Sequence, residues 1–247
     1  MHQDYFPPGI VVLTGAGISK ESGIDTFRDA GGLWSRFNLE DVATIEGWHR
    51  DKKKVLDFYN EARGLFRAAK VVPNAAHDAL ARLEAKYGGD VTIVTQNIDL
   101  LHEMAGSKNV LHMHGRDGEV RCMTCSTVFP ADADLSLQSV CAKCGAVGEM
   151  RPNIVWFGEQ PMHLDEIYAA LDKCELFMAI GTSGQVYPAA GFVQLVRRRA
   201  RVHTVELNLE PTENQPLFQE QIYGPATRIV PPYVERILAE GWKPGGW

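Results

Sequence analysis

Four short apolar runs punctuate the chain, each closing on, or just before, a glycine or a polar residue. They are GIVVLTG (9–15), VTIVTQN (91–97), ELFMAIG (175–181) and VHTVELNL (202–209). Runs of this length and apolar content predict strands buried on both faces. TRIV (227–230) is a fifth, weaker candidate. The segments between them carry helical spacing. NAAHDALARLEAKYG puts Ala76, Leu80 and Leu83 on one face and stops at Gly88 and Gly89. AAGFVQLVRRRA follows Pro188 and gathers its cations in the last turns, where a helix dipole favours them. Strands alternating with helices predict a parallel sheet covered on both faces and joined by right-handed crossovers.

Two segments break this alternation. Residues 37–73 are charged and helical around DKKKVLDFYNEARGLF, and residues 116–151 hold four cysteines with little apolar periodicity. Both read as insertions that build a smaller second module. The expected fold class is α/β, with the large domain formed by 1–36, 74–115 and 152–247. The helical module 37–73 and the ribbon 116–151 form the small one.

Composition narrows the function classes. A chain of 247 residues, 45% hydrophobic and 23% charged, matches an ordinary soluble enzyme. The net charge of -6 leaves no basic stripe to displace counterions, so nucleic acid is not expected as a partner. RRRAR (197–201) is the only dense basic run and reads as a solvated helix end. No apolar run approaches a membrane span, and MHQDYFPPG lacks the basic-then-apolar order of a secretory signal. A cytoplasmic monomer, without a membrane partner, is expected.

Cys122 and Cys125 are followed by Cys141 and Cys144, two C-x-x-C pairs at zinc-ribbon spacing. Four thiolates suit tetrahedral zinc and leave no position for water, so the expected metal is structural. Cys174 stands alone before an apolar run and reads as a small core residue.

Gly15, Ala16 and Gly17 sit where the first run ends, the place where small residues let a backbone approach a pyrophosphate. Lys20 stands where a dinucleotide fingerprint would have its third glycine. TQNID (95–99), GTS (181–183) and NLE (208–210) also close apolar runs. Ligands of open parallel sheets bind at the carboxyl ends of strands, so these four endings are expected to converge on one crevice. In LHMHG, strand alternation would put His112 and His114 on one side, and imidazole titrates near neutral pH. His77 and His102 lie in helical patterns and read as structural.

GAGISKESGIDTFRDAGGLW, TQNIDLLHEMAG, HMHG, the paired C-x-x-C, RPNIVWFGE, GTSGQVYPAAGF and ELNLEP occur in this order from about residue 9 to 235. Together they resemble the sirtuins, NAD-dependent protein-lysine deacylases, and most of all the bacterial members grouped with the desuccinylase type. The resemblance implies a Rossmann-type large domain and a small domain made of a helical module and a zinc ribbon. NAD and an acyl-lysine peptide would enter the cleft between them. It implies that Gly15, Ala16, Gly17, Ser19, Thr26, Phe27, Arg28 and Trp34 line NAD. Gln96, Asn97, Ile98 and Asp99 would surround the nicotinamide and its ribose. Gly181, Thr182, Ser183, Asn208, Leu209, Glu210 and Ala226 would hold the phosphate and adenosine end. His114 would be the catalytic base, with Asn97 and Asp99 positioning ribose and nicotinamide. Phe157, Gly158 and Glu159 on one side, and Val186 and Tyr187 on the other, would sandwich the substrate backbone. The products would be nicotinamide, free lysine and 2′-O-acyl-ADP-ribose. Rival readings are a mono-ADP-ribosyltransferase using the same cleft and a non-catalytic NAD-sensing module.

Relatives that remove succinyl or malonyl groups pair a tyrosine with an arginine three residues later. Here Tyr59 is followed at that spacing by Ala62, and Arg63 comes one residue further on. One extra residue turns the side chain by about 100° around the helix. Arg63 remains a candidate carboxylate clamp, and Ala30 would leave the acyl pocket wide. Acetyl groups are expected to be accepted; dicarboxylic ones are left open.

Overall fold

The computed structural model describes residues 7–24, 37–68, 71–131 and 133–240. Six strands form a parallel sheet: β1 (Gly9–Thr14), β2 (Val91–Thr95), β3 (Val110–His112), β7 (Cys174–Ile180), β8 (His203–Asn208) and β9 (Glu220–Tyr223). Their spatial order is β3-β2-β1-β7-β8-β9. Counting these six alone, this is the 3-2-1-4-5-6 order of a doubly wound dinucleotide fold. The expectation of an α/β Rossmann-type sheet is borne out.

The apolar runs are continuous because both faces of the sheet are covered. Ile10, Val12, Leu176, Met178 and Val205 point to one face, against α4 (Ala75–Lys86) and α8 (Ala226–Glu240). Val11, Leu13, Val94, Phe177 and Ala179 point to the other, against α6 (Leu164–Lys173) and α7 (Phe192–Val196). Each fully buried aliphatic side chain contributes about 1.5–3 kcal/mol over its exposed state. Ala76, Leu80 and Leu83 of α4 are all fully buried, as their spacing predicted.

The candidate strand at 227–230 is corrected: TRIV lies inside α8. Val230, Tyr233, Val234 and Ile237 repeat at helical spacing and join the core beneath α4. The sixth strand is instead the half-exposed EQIY of β9. The basic run also differs from expectation. α7 ends at Val196, and the Arg199 guanidinium donates to the carbonyls of Leu171 and Asp172. It therefore caps the carboxyl end of α6 rather than being merely solvated.

Between β3 and β7 the chain forms a second, antiparallel sheet ordered β5-β4-β6, from β4 (Gly115–Cys122), β5 (Val128–Pro130) and β6 (Met150–Ile154). The charged segment after residue 37 forms α1 (Leu39–Val42), α2 (Ile45–Arg50) and α3 (Lys52–Ala68). Asn38 and Thr44 cap the first two by accepting from Glu40 and Gly47 N–H groups. These helices bury Trp48, Val55, Phe58 and Tyr59 against Ile154 and Trp156. The helical segment thus packs on β6 and the residues after it. Among the described residues, no helix is long and apolar enough to cross a membrane.

Candidate active site

The sheet order reverses between β1 and β7, whose carboxyl ends face one crevice. The loops after these strands lie in backbone contact. Gly17 N donates to Gly181 O at 2.8 Å. A Cβ on Gly17 would stand 2.7 Å from Gly181 Cα, and one on Gly181 only 2.4 Å from Ile18 N, at a left-handed φ of +60°. The G-x-G spacing is therefore accounted for by two loops crossing, which also leaves their surfaces low enough for a ligand. Lys20, in the place of the missing third glycine, is exposed at the start of a short 3-10 turn.

The loop after β2 fills the floor beside them. Gln96 donates from Nε2 to the Thr182 hydroxyl at 2.9 Å. Buried Asn97 donates from Nδ2 to Gly15 O and to Ser19 Oγ, both at 3.1 Å. Ser19 in turn donates to Asp99 Oδ2 at 3.0 Å. Asp99 Oδ1 accepts from Leu101 N at 3.1 Å and starts α5 (Leu101–Met104). Burial raises the Asp99 carboxyl above its ordinary range, against the bonds from Leu101 and Ser19 and the nearby His112 ring. Ile98 passes behind, its carbonyl accepting from Asp117 N.

β3 ends at His112, so His114 lies beyond the strand, yet both rings reach the same loop. His114 Nδ1 is 3.1 Å from Gln96 O. A carbonyl can only accept, so Nδ1 carries the proton and Nε2 of the neutral ring holds a lone pair. Burial lowers the His114 pKa, partly offset by the bond to Gln96. Gly115 follows at φ +77°, where a Cβ would meet Asn153 O at 2.0 Å. Val155 N donates to His114 O, tying the histidine to the segment that follows β6.

Toward the other end, Asn208 donates to Thr182 O at 3.0 Å and its Oδ1 accepts from Leu209 N. Ser183 Oγ accepts from Gln185 N. Leu209 and Glu210 are exposed, and Ala226 opens α8. Ala16 begins the turn after Gly15. One feature escaped the sequence reading: Glu21 accepts from Thr227 N and Oγ1 at 2.9 and 2.7 Å. A carboxylate from the glycine loop thereby fills the N-terminus of α8.

Phe157, Val186 and Tyr187 are exposed apolar side chains, and Gly158 sits beside Phe157 at φ +87°. Phe157 N donates to Ala43 O, so the helical segment holds this strip. The Glu159 carboxylate turns inward, accepting from Arg151 Nη2 and Trp156 N at 2.8 Å. Arg151 is fully buried and its guanidinium lies 3.6 Å from the centre of the Trp156 ring. The expected acyl-carboxylate pair is engaged elsewhere. Tyr59 Oη accepts from Trp156 Nε1 at 2.9 Å. Arg63, only 3% exposed, donates to Asp117 Oδ1 at 3.1 Å and to Ala133 O at 2.7 Å. Thr26, Phe27, Arg28, Ala30 and Trp34 lie outside the described residues.

The four cysteines gather their Sγ atoms within 4.8 Å of one another. Cys122–Cys144 and Cys125–Cys141 are each separated by 3.7 Å. That is too long for a disulfide, and it matches the edge of about 3.8 Å of a tetrahedron with zinc–sulfur bonds of about 2.3 Å. Each pair sits on an equivalent turn: Ser126 N donates to Cys122 O, and Gly145 N to Cys141 O, with φ of +57° and +74°. The donor set fits a structural zinc.

Beneath the crevice, His77 and His102 are buried with ring centres 5.0 Å apart. His77 Nδ1 accepts from Asn74 N, and His102 Nε2 pairs with the Thr14 hydroxyl. Burial pushes their pKa values down to about 4 and about 3. Both therefore stay neutral in the fold while the unfolded chain protonates them below about pH 6.5. The unfolded state then binds more protons, so acidification costs stability, about 1.4 kcal/mol per histidine per pH unit at most. Urea melts should accordingly weaken between about pH 7 and pH 5, above the carboxylate range. An unchanged midpoint over that window would contradict neutral buried histidines.

The profile of the Sir2 family matches residues 15–188. The chain is 50% identical over 233 residues to an NAD-dependent protein deacylase of Caulobacter vibrioides, covering 93% of this chain and 97% of that one. It is also 50% identical over 238 residues to an NAD-dependent protein deacylase of Escherichia coli, with 96% and 85% covered. Among solved structures, a Sir2 homolog–NAD complex superimposes with a TM-score of 0.84 at 34% identity, covering 94% of this chain and 90% of that one. A mutant Sir2 homologue bound to ADP-ribose gives 0.85 at 34% identity, with 94% and 92% covered. The chain belongs to the Sir2 family.

Proposed function

We propose that the protein is an NAD-dependent protein-lysine deacylase. The observation that carries this reading is the hydrogen-bonded chain Asn97–Ser19–Asp99 at the topological switch point, with His114 fastened to the neighbouring Gln96 carbonyl. Bound NAD supplies a sugar carbon activated by a cationic leaving group. Gly15, Ala16, Gly17, Ser19 and Thr182 approach its phosphates, and Asn208, Leu209, Glu210 and Ala226 its adenosine end. Asn97 orients the ribose, and the Asp99 carboxylate stabilises positive charge beside it. Holding the acyl-lysine next to that carbon makes the encounter nearly unimolecular. His114 accepts a ribose hydroxyl proton at Nε2. Phe157, Gly158, Val186 and Tyr187 flank the peptide backbone, with the Glu159 carboxylate bracing the strip from inside. Two units divide this work: 1–36, 74–115 and 152–247 for NAD, and 37–73 with 116–151 as the smaller one. The sheet's cluster and the ribbon's cluster are separate, which supports the division, while the helical module's cluster takes in Ile154 and Trp156.

The acyl group removed is a neutral one. Arg63 and Tyr59 border a small cavity with Ala62, Ile98 and Ile154, but Arg63 Nε and Nη1 are already paired with Asp117 and Ala133, and Tyr59 Oη accepts from Trp156. Freeing a buried guanidinium for a succinyl carboxylate would break its bonds, each worth about 1.5–3 kcal/mol to a charged group. The test is incubation with NAD and acetyl-, succinyl- and malonyl-lysine peptides, reading nicotinamide and acyl-ADP-ribose. Acetyl turnover is expected to exceed succinyl. Arg63→Ala should leave that ratio within about threefold while lowering stability by about 2 kcal/mol. A selective loss of succinyl turnover would make Arg63 the clamp after all. Labelled protein in place of acyl-ADP-ribose would indicate ADP-ribosyl transfer, and no NAD consumption would overturn the deacylase reading.

A further inference from the structure

His112 ends β3 and His114 follows it, and each addresses one of two consecutive carbonyls. His114 Nδ1 lies 3.1 Å from Gln96 O, and His112 Nδ1 lies 3.1 Å from Asn97 O. Both rings therefore donate from Nδ1. Their second nitrogens differ. His114 Nε2 has no hydrogen-bond partner among the described residues. His112 Nε2 lies 2.7 Å from Glu103 Oε1. His112 thus faces an acceptor at each nitrogen, the Asn97 carbonyl at Nδ1 and the Glu103 carboxylate at Nε2. The Glu103 carboxyl sits below its ordinary range; burial would raise it, and the bond from His112 with its charge outweighs that.

These contacts close a ring. Asn97 holds Ser19, Ser19 holds Asp99, and Asp99 accepts from the N–H of Leu101, the first residue of the one-turn helix that carries Glu103. Glu103 holds His112, and His112 holds the Asn97 carbonyl. Breaking the Glu103–His112 side opens this ring, while the 96–99 loop keeps its bonds to Thr182, Gly15 and Asp117.

We propose that Glu103 and His112 form a positioning pair that fixes the Asn97 peptide, and with it the Asn97 and Asp99 side chains, in the geometry used on NAD. Neither residue touches the reacting atoms in this scheme. The kinetic consequence rests on the deacylase reading; the structural one does not.

Two isosteres separate positioning from packing. In His112→Asn the amide nitrogen stands where Nδ1 stood, so the bond to Asn97 O survives and the one to Glu103 is lost. In His112→Gln the amide reaches Nε2 instead, so Glu103 is kept and Asn97 O is released. Amide exchange over 96–101 is expected to quicken about tenfold in His112→Gln and to stay within about threefold of wild type in His112→Asn. kcat/KM for NAD should follow the same order, mainly through KM, at thermal midpoints within a few degrees of wild type. Glu103→Gln should cost no more than His112→Asn, within about threefold alone, and add nothing in the His112→Gln background. Equal exchange in both histidine variants, additive losses, or losses that track the midpoint would overturn the pair. A wild type that consumes no NAD would remove the deacylase reading, and the exchange comparison would still decide the positioning role.

Discussion

His114→Ala is expected to lower deacylation by about three orders of magnitude, within the range supplied by general acid–base catalysis. The Gln96 carbonyl fixes the Nδ1–H tautomer and leaves Nε2 as the only basic atom. Alanine removes that atom and leaves Asn97, Ser19 and Asp99 bonded to one another. NAD affinity should therefore change little while kcat collapses, a split readable from calorimetry and steady-state rates on the same preparation. The wild-type pH profile carries a second signature. A base must be neutral, and burial lowers the His114 pKa below its ordinary 6.5. Activity should hold as pH falls through 6.5 and decline only below it, along an acid limb that His114→Ala lacks. Full turnover by the variant would remove His114 from the chemistry.

What the amino-acid sequence disclosed depended on how far apart the interacting groups lie along it. β1, β2, β7 and β8 were legible because burial on two faces demands unbroken apolar runs. β9 was not, because an edge strand with half-exposed Glu220 and Gln221 has no such demand, and the β-branched TRIV drew the reading into α8. The cysteine clip was legible because tetrahedral ligation imposes a spacing on the chain itself. The pairing of Arg63 was not legible: its partners Asp117 and Ala133 lie 54 and 70 residues away, with nothing local to announce them. The same holds for Glu21 on α8, 206 residues distant. Glu103 had a fainter signal. It follows Asp99 by four residues, one helical turn, and His112 was already marked by its spacing from His114.

Stripping the zinc should abolish activity although no metal ligand lies among the residues assigned to chemistry. The ribbon's own core is small: Val120 and Met150 with Cys122 and Cys141 themselves, flanked by exposed Leu137, Val140 and Val147. So little apolar burial leaves the ribbon's order dependent on its metal, and structural zinc binds with about 10–16 kcal/mol at neutral pH. Loss of the ion releases β4 and β6, which pair from Cys122–Met150 to Gly115–Ile154. Gly115 follows His114, and Val155 N holds the His114 carbonyl. Trp156, next along, braces Tyr59 and Glu159. His114 and the Phe157–Glu159 strip should both lose their footing while the parallel sheet, with its own two apolar layers, persists. A chelator strong enough to compete should give one zinc released per chain, rapid amide exchange over 116–159, slow exchange retained in β1 and β7, and activity restored by added zinc. Cys141→Ser should reproduce the loss without rescue. A metal-free protein that keeps its exchange protection and its turnover would show that the four thiols hold the ribbon without an ion.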